Sequence, residues 1–208
     1  ADKNTDPSFL FPKVQAALEE KLHGVYGQFV WQVDIQKVLS VIEADRRVRD
    51  VFVTRVLPNT IRIEIEPQVA FANIMGSDSL LFYPLSQEGD VMPAVRAPDA
   101  PDGPILRGAK FLQSKEWRDE ALKLLHSLPE TGAFSRASIS EIHMNDKNGL
   151  KMILKKSGSE VLIGNEDFKN RTSYISRVIH YLDSERLSGR VIDARYSKKV
   201  VVKLRNEP

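Results

Sequence analysis

The sequence predicts an α+β protein in two parts. A small helix, helix, strand, turn, strand unit comes first, and a larger, mostly antiparallel β-sheet domain with about two packed helices follows. Three observations carry this prediction. Four stretches place apolar residues at the period of an amphipathic helix, several short runs have the β-branched or alternating pattern of strands, and Gly, Pro, Asn and Asp clusters punctuate them. The 208 residues, 42% apolar and 28% charged, suffice for one large core or two small ones and argue against disorder.

After a polar leader, Val14, Ala17, Leu18 and Leu22 recur at helical spacing and Gly24 is a plausible stop. Phe29–Val33 reads as a short extended run that hands over to Asp34. Asp34 is placed to cap a second helix, in which Ile35, Val38, Leu39 and Ile42 fall at i, i+3, i+4 and i+7. Val48–Val56 is rich in β-branched residues, and Leu57-Pro58-Asn59-Thr60 makes a turn. Ile61, Ile63 and Ile65 then alternate with Arg62, Glu64 and Glu66, so the first unit ends near Pro67.

In the second part, Val69–Ile74 and Leu80–Pro84 read as strands and Gln87–Asp90 as a tight turn. Met92–Gly108 is the least regular segment, because Pro93, Pro98, Pro101 and Pro104 break every period; a loop or linker is expected there. Trp117, Ala121, Leu124, Leu125 and Leu128 mark a helix that Pro129 ends, with His126 near its negative end. Strands follow at Ile139–Met144, Leu150–Leu154 and Glu160–Gly164, joined by Asn145–Gly149 and Lys156–Ser159. Phe168, Ile175, Val178, Ile179 and Leu182 share one face of a helix over Glu166–Leu182, with Asn165 or its neighbour as the expected cap. A terminal hairpin closes the chain, as Arg190–Tyr196, a turn at Ser197-Lys198, and Lys199–Leu204.

Composition excludes several function classes. Without cysteine there is no disulfide scaffold, thiolate metal centre or cysteine nucleophile. A net charge of +2, from 30 basic and 28 acidic residues, makes no global field for nucleic acid, so any basic function needs local clustering. No run nears the roughly 18 apolar residues of a membrane span, and Ala1–Pro7 lacks a signal pattern. A segment taken from beyond a membrane anchor has the same look.

Catalytic signatures are equally sparse. There is no G-x-S-x-G elbow and no glycine-rich phosphate loop, and Glu64 and Glu66 lie on a strand's solvent face. His180 with Asp183 is better explained as a solvated helix face than as a metal pair. Asn145–Gly149 resembles part of a calcium loop but lacks the downstream Glu, so a hairpin turn is the simpler reading. No catalytic residue, metal ligand or cofactor is expected.

The one local charge anomaly lies between Arg186 and Pro208. Arg186, Arg190, Arg195, Lys198, Lys199, Lys203 and Arg205 there face only Asp193 and Glu207. Three readings stay open. Lysines guard an exposed edge strand against aggregation; the edge accepts a partner's strand, ideally an acidic one; or the cluster binds nucleic acid. For the last, the aromatic platform is limited to Tyr196, and Val200-Val201-Val202 marks a sheet strand.

Several motifs recur in a definite order. Trp31-Gln32-Val33-Asp34-Ile35, the run from Val48 to Ile65 with its Leu-Pro-Asn-Thr turn, and Glu66-Pro67-Gln68-Val69-Ala70 come first. Glu88-Gly89-Asp90-Val91 and Pro104-Ile105-Leu106-Arg107-Gly108 follow, and Val161-Leu162-Ile163-Gly164, a helix and Ile192-Asp193-Ala194-Arg195-Tyr196 come last. Over roughly residues 14–204 this order resembles the extracytoplasmic part of the FtsQ/DivIB family of bacterial cell-division proteins. The resemblance implies a POTRA-like domain at 9–67 and an FtsQ-type β domain at 68–208.

It further implies a noncatalytic protein of the septal division complex, anchored by one N-terminal membrane helix outside these residues. The POTRA part would help recruit other division proteins. The β domain would bind a coiled-coil partner pair of the FtsB/DivIC and FtsL types, the partner adding a strand beside the last strand. By matching position, Arg195 would pair an acidic partner residue, Tyr196 would supply an apolar anchor and Lys198 would lie on the contact edge, which Lys199, Val200, Val201 and Val202 complete. The chain departs from the family pattern where Ser197-Lys198-Lys199 replaces a glycine and where Leu204 stands for a terminal aromatic. Phe9-Leu10-Phe11 would stand in for the strand that opens POTRA. A POTRA module of outer-membrane assembly or secretion is the rival within binding proteins.

Overall fold

The structure, a computed structural model, describes residues 11–78, 80–197 and 199–205. The chain forms two compact units, one built from residues up to Val69 together with Asp90–Pro93, the other from Ala70–Gly89 and the chain beyond Ala94.

In the first unit, α1 (Phe11–Lys21) and α2 (Ile35–Glu43) accompany an antiparallel hairpin of β1 (Val48–Val56) and β2 (Thr60–Pro67). Asp34 caps α2 as expected, accepting from the backbone N–H of Gln36 at 3.0 Å and of Lys37 at 3.2 Å. Leu18, Val33, Val38 and Ile42 form the buried core. Against it pack Val51 and Val53 of β1 and Ile61, Ile63 and Ile65 of β2, the inward members of each alternation.

One expectation fails in this unit, and another falls mostly outside the described residues. Phe11 opens α1 and stands in no strand, while Phe9 and Leu10 lie outside the described residues. Phe29–Val33 is a turn, closed by the N–H of Gln32 on the carbonyl of Phe29 at 2.8 Å. Its composition is that of a strand, but its burial has the spacing of a turn: Val30 and Val33, three apart, are buried, while Phe29 and Trp31 stack outward.

Among the described residues, the second unit holds a nine-stranded sheet and three α-helices. The strands are β3 (Ala70–Met75), β4 (Leu81–Ser86), β5 (Val95–Arg96), β6 (Ile105–Arg107), β7 (Ile139–Asn145), β8 (Gly149–Leu154), β9 (Glu160–Gly164), β10 (Gly189–Asp193) and β11 (Val201–Leu204). The helices are α3 (Lys110–Gln113), α4 (Lys115–Ser127) and α5 (Phe168–Ser184). Across the sheet the order is β11-β10-β9-β8-β7-β6-β3-β4-β5. Most pairings are antiparallel. The parallel pairs are β3 with β6, β6 with β7 and β9 with β10. A parallel pair needs a crossover, and this accounts for the placement of the helices. The chain between β6 and β7 carries α3 and α4, and that between β9 and β10 carries α5.

The core of this unit runs across the strands. Ile74, Leu106, Ile142, Met152, Val161, Ile192 and Val202 are successive register partners from β3 to β11, and all but Val202 are fully or almost fully buried. Residues so aligned lie on one face of the sheet, so a single apolar row ties seven strands together.

The row corrects the reading of Met92–Gly108. That segment is no linker: its residues 105–107 form β6, in the middle of the sheet, with Leu106 inaccessible to solvent. Three residues are too few to show a period, and the prolines before them erase the context. Asn73 seats the proline stretch instead, its side-chain amide donating to the carbonyl of Pro101 at 2.7 Å and its backbone N–H to that of Pro104 at 2.9 Å. The cap of α5 is also corrected. Asp167 takes the N-cap position in the left-handed region (φ 52) and makes no side-chain cap bond; its carboxylate accepts from the Asn170 amide at 2.7 Å.

Candidate functional site

The candidate partner-binding edge grows out of the last crossover. β9 ends at Gly164, α5 carries the chain across, and β10 returns parallel to β9, pairing Ile192 with Val161 and Asp193 with Leu162. The two motifs Val161–Gly164 and Ile192–Tyr196 thus meet side by side. β10 ends at Asp193, earlier than expected; the N–H of the buried Ala194, just past it, makes the last bond of the ladder, donating to the carbonyl of Leu162 at 2.9 Å. β11 then pairs with β10 and is the terminal strand of the sheet. Only four residues long, it begins at Val201, which leaves Lys199 and Val200 in the approach to the strand.

Arg195 is held from several sides. Its Nε donates to Asp193 Oδ1 at 2.9 Å and its Nη2 to Asp193 Oδ2 at 2.7 Å, while its Nη1 reaches Asn148 Oδ1 at 3.3 Å. The fork holds the Asp193 carboxyl below its ordinary range and raises the Arg195 guanidinium above its own. Gly164 lies beneath it at φ +79, where an added Cβ would come within 2.7 Å of Arg171 Nη1. Arg171 is buried, and that Nη1 donates to the carbonyl of Ile163 at 2.6 Å while Nη2 pairs with Glu166 at 2.9 Å. Glycine at the end of β9 therefore leaves room for the Arg171 guanidinium, with the aliphatic stem of Arg195 alongside.

Beside the edge lies a shallow groove of about 350 Å³, lined by Tyr174, Arg177, Val178 and Tyr181 of α5 and by Lys199 and Val200. Its rims are cation and aromatic pairs, Arg177 lying 4.9 Å from the ring centre of Tyr174 and Lys199 5.2 Å from that of Tyr196. Tyr196 is half exposed, and Val201 and Leu204 also present apolar surface. Val202 closes the buried row, which leaves it half-buried. Lys198 lies outside the described residues.

The motif reading missed Asn148, Arg171 and the α5 wall of the groove. A signal for the wall was present: Tyr174, Arg177, Val178 and Tyr181 fall at i, i+3, i+4 and i+7, a second stripe beside the buried one. Asn145–Gly149 is a hairpin turn, in which Asn145 Oδ1 accepts from the N–H of Lys147 at 2.9 Å. Among the described residues no three His, Cys, Asp or Glu side chains are grouped to hold a metal ion, and no helix is long and apolar enough to cross a membrane.

Two family models match the chain. The FtsQ-type POTRA domain matches residues 14–67, and the C-terminal region of cell division protein FtsQ/DivIB matches residues 76–195, more than half of the sequence. The chain belongs to the FtsQ/DivIB family. Among similar proteins, cell division protein FtsQ of Geobacter sp. (strain M21) is 26% identical over 85% of this chain and 66% of its own length. FtsQ of Geotalea daltonii is 29% identical over 85% of this chain and 66% of its own, and cell division protein DivIB of Bacillus subtilis is 29% identical over 75% and 57%. The chain thus spans up to about two thirds of the length of these relatives. The FtsQ/DivIB C-terminal match ends at Arg195, so Tyr196 and β11 lie just past it.

Proposed function

We propose that this FtsQ/DivIB chain is a noncatalytic scaffold of the division complex that takes up a partner strand along the outer edge of β11. The terminal position of β11 in the nine-stranded sheet carries the reading. Such an edge directs backbone N–H and C=O groups away from the sheet, a template for strand addition. The basic side chains Lys199, Lys203 and Arg195 favour an acidic segment. The partners are a coiled-coil pair of the FtsB/DivIC and FtsL types. The functional domains are POTRA-like 9–67, which recruits other division proteins, and the β domain 68–208. One N-terminal membrane helix outside these residues holds both on the extracytoplasmic side at the septum, where partner binding helps coordinate wall synthesis.

Backbone pairing alone is too weak for this. A four-residue edge offers a few hydrogen bonds at roughly 0.5–1.5 kcal/mol net each, less than association itself costs. Side chains must supply the rest, and the groove beside Tyr196 is the place for an apolar anchor.

Hydrogen exchange on the 208-residue chain tests the reading. Adding the partner pair should protect the amides of Val201–Leu204, and Lys199→Glu with Lys203→Glu, both at exposed positions, should weaken binding. Unchanged exchange in β11 at saturating partner refutes strand addition.

A further inference from the structure

Residues 24–33 and 56–61 contain no Asp, Glu, Lys or Arg, in a chain of which 28% is charged. The fold brings these segments to one end of the first unit. Tyr26, Gln28 and Val30 line an apolar cavity of about 270 Å³ together with Asn59, Thr60 and Ile61. The guanidinium of Arg55 ties the ends together, donating to the carbonyls of Val30 at 3.0 Å and Val33 at 2.6 Å. Large apolar side chains project outward here: Tyr26 is 70% exposed, Phe29 62%, Trp31 66% and Leu57 75%. Phe29 and Trp31 are stacked, their ring centres 5.3 Å apart and their planes 8° from parallel.

We propose that this charge-free tip inserts into the interfacial zone of a lipid bilayer. Two arguments favour a membrane over a protein partner. The first is area. Large aromatic side chains bring about 150–250 Å² each, so the exposed parts of the tip offer roughly 500 Å², short of the about 800 Å² that each side of a standard protein interface buries. The second is charge: the two segments carry none of their own, and the one guanidinium that reaches them, that of Arg55, is already bonded to the carbonyls of Val30 and Val33, which leaves no side-chain charge projecting from the exposed aromatic face. Trp and Tyr, with an apolar body and a polar handle, match the headgroup boundary. The inference rests on the tip alone and stands whether or not β11 takes a partner strand.

The test uses the 208-residue chain and vesicles of neutral phosphatidylcholine and phosphatidylethanolamine. Trp117→Phe leaves Trp31 as the sole tryptophan. Its emission should shift to the blue on adding vesicles and be quenched by lipids brominated near the headgroup. The unaltered chain should sediment with the same vesicles, changing by less than about twofold between low and high salt because no charge carries the binding. Phe29→Ser with Leu57→Ser, both at exposed positions and checked by circular dichroism, should lower the bound fraction at least about tenfold. Unshifted emission with no sedimentation overturns the proposal. So does binding confined to anionic vesicles and lost in salt, or self-association that the double variant abolishes without any vesicle binding.

Discussion

Arg195 clasps Asp193, two residues earlier in the chain, through its backbone N–H at 3.1 Å, Nε at 2.9 Å and Nη2 at 2.7 Å. Arg47 clasps Asp45 in the first unit by the same three bonds at the same distances. The two clasps differ in exposure: the side chains are 35% and 14% accessible for Arg195 and Asp193, against 23% and 5% for Arg47 and Asp45. Charge-assisted bonds gain strength as water is excluded. A double-mutant cycle on Arg195→Ala and Asp193→Ala, read by urea unfolding, should give a coupling of about 1 kcal/mol, with a larger value for Arg47 and Asp45. Equal coupling would contradict the role given to exposure.

Asp45 makes the first unit acid-sensitive. The hydrogen bond from Arg47 draws its carboxyl down to about 2, with Lys21 adding attraction from 3.7 Å. A carboxyl lowered on folding contributes stability that is fully present above its unfolded value, near 4, and is lost as pH falls toward 2. The contribution is about 2 kcal/mol at neutral pH. Asp45→Asn should therefore destabilise the unit by about that amount at pH 7, and the difference from the unaltered chain should shrink to a small remainder near pH 2 and disappear below it. Amide exchange in β1 and β2, compared between the two proteins at each pH, isolates this unit; a gap as large at pH 2 as at pH 7 refutes the assignment.

Gly149 and Gly158 both occupy turns at positive φ, +71 and +63, yet they should respond differently to substitution. A Cβ on Gly149 would meet the backbone of Gly164, with Cα at 2.6 Å, whereas one on Gly158 meets nothing nearer than the flexible Arg205 guanidinium at 3.9 Å. Gly158→Ala should cost about 1 kcal/mol, the backbone strain alone. Gly149→Ala adds a clash that no side-chain rotation relieves, and should cost at least about 3 kcal/mol and loosen the pairing of β8 with β9. Chemical denaturation followed by far-UV circular dichroism ranks the two.

What the sequence revealed depended on how many residues each signal spans. α2 carries a helical period sustained over eight residues and a capping aspartate, and β2 alternates three isoleucines, so both are legible alone. β6 has three residues, and its central place comes from Asn73, Ile74 and Ile142 on strands far away in sequence. The turn at Phe29–Val33 is not legible as a turn, because strand-like composition there serves an outward stack and a tie to Arg55. At the candidate edge, the Arg195 and Tyr196 motif was visible, but the Asp193 clasp and the α5 wall of the groove were not. A charged pair two residues apart and a tyrosine stripe gain meaning only once the crossover places them together.

Arg55 is predicted to hold the uncharged turn in place. Its side chain leaves β1 and donates to two carbonyls more than twenty residues earlier, at Val30 and Val33, which the planar fork reaches together. Lysine retains the charge but has a single nitrogen, so Arg55→Lys cannot serve both carbonyls in the same geometry. Losing one such bond should cost about 1–2 kcal/mol and leave Val33, whose side chain belongs to the core, less firmly seated. The measurement is amide exchange across residues 29–34 together with the rotational freedom of Trp31 by fluorescence anisotropy in the Trp117→Phe background. Faster exchange there, with α5 and the large sheet unchanged, is the expected result. Identical exchange in the Arg55→Lys variant would show that the turn is set by Val30 and Val33 burial alone.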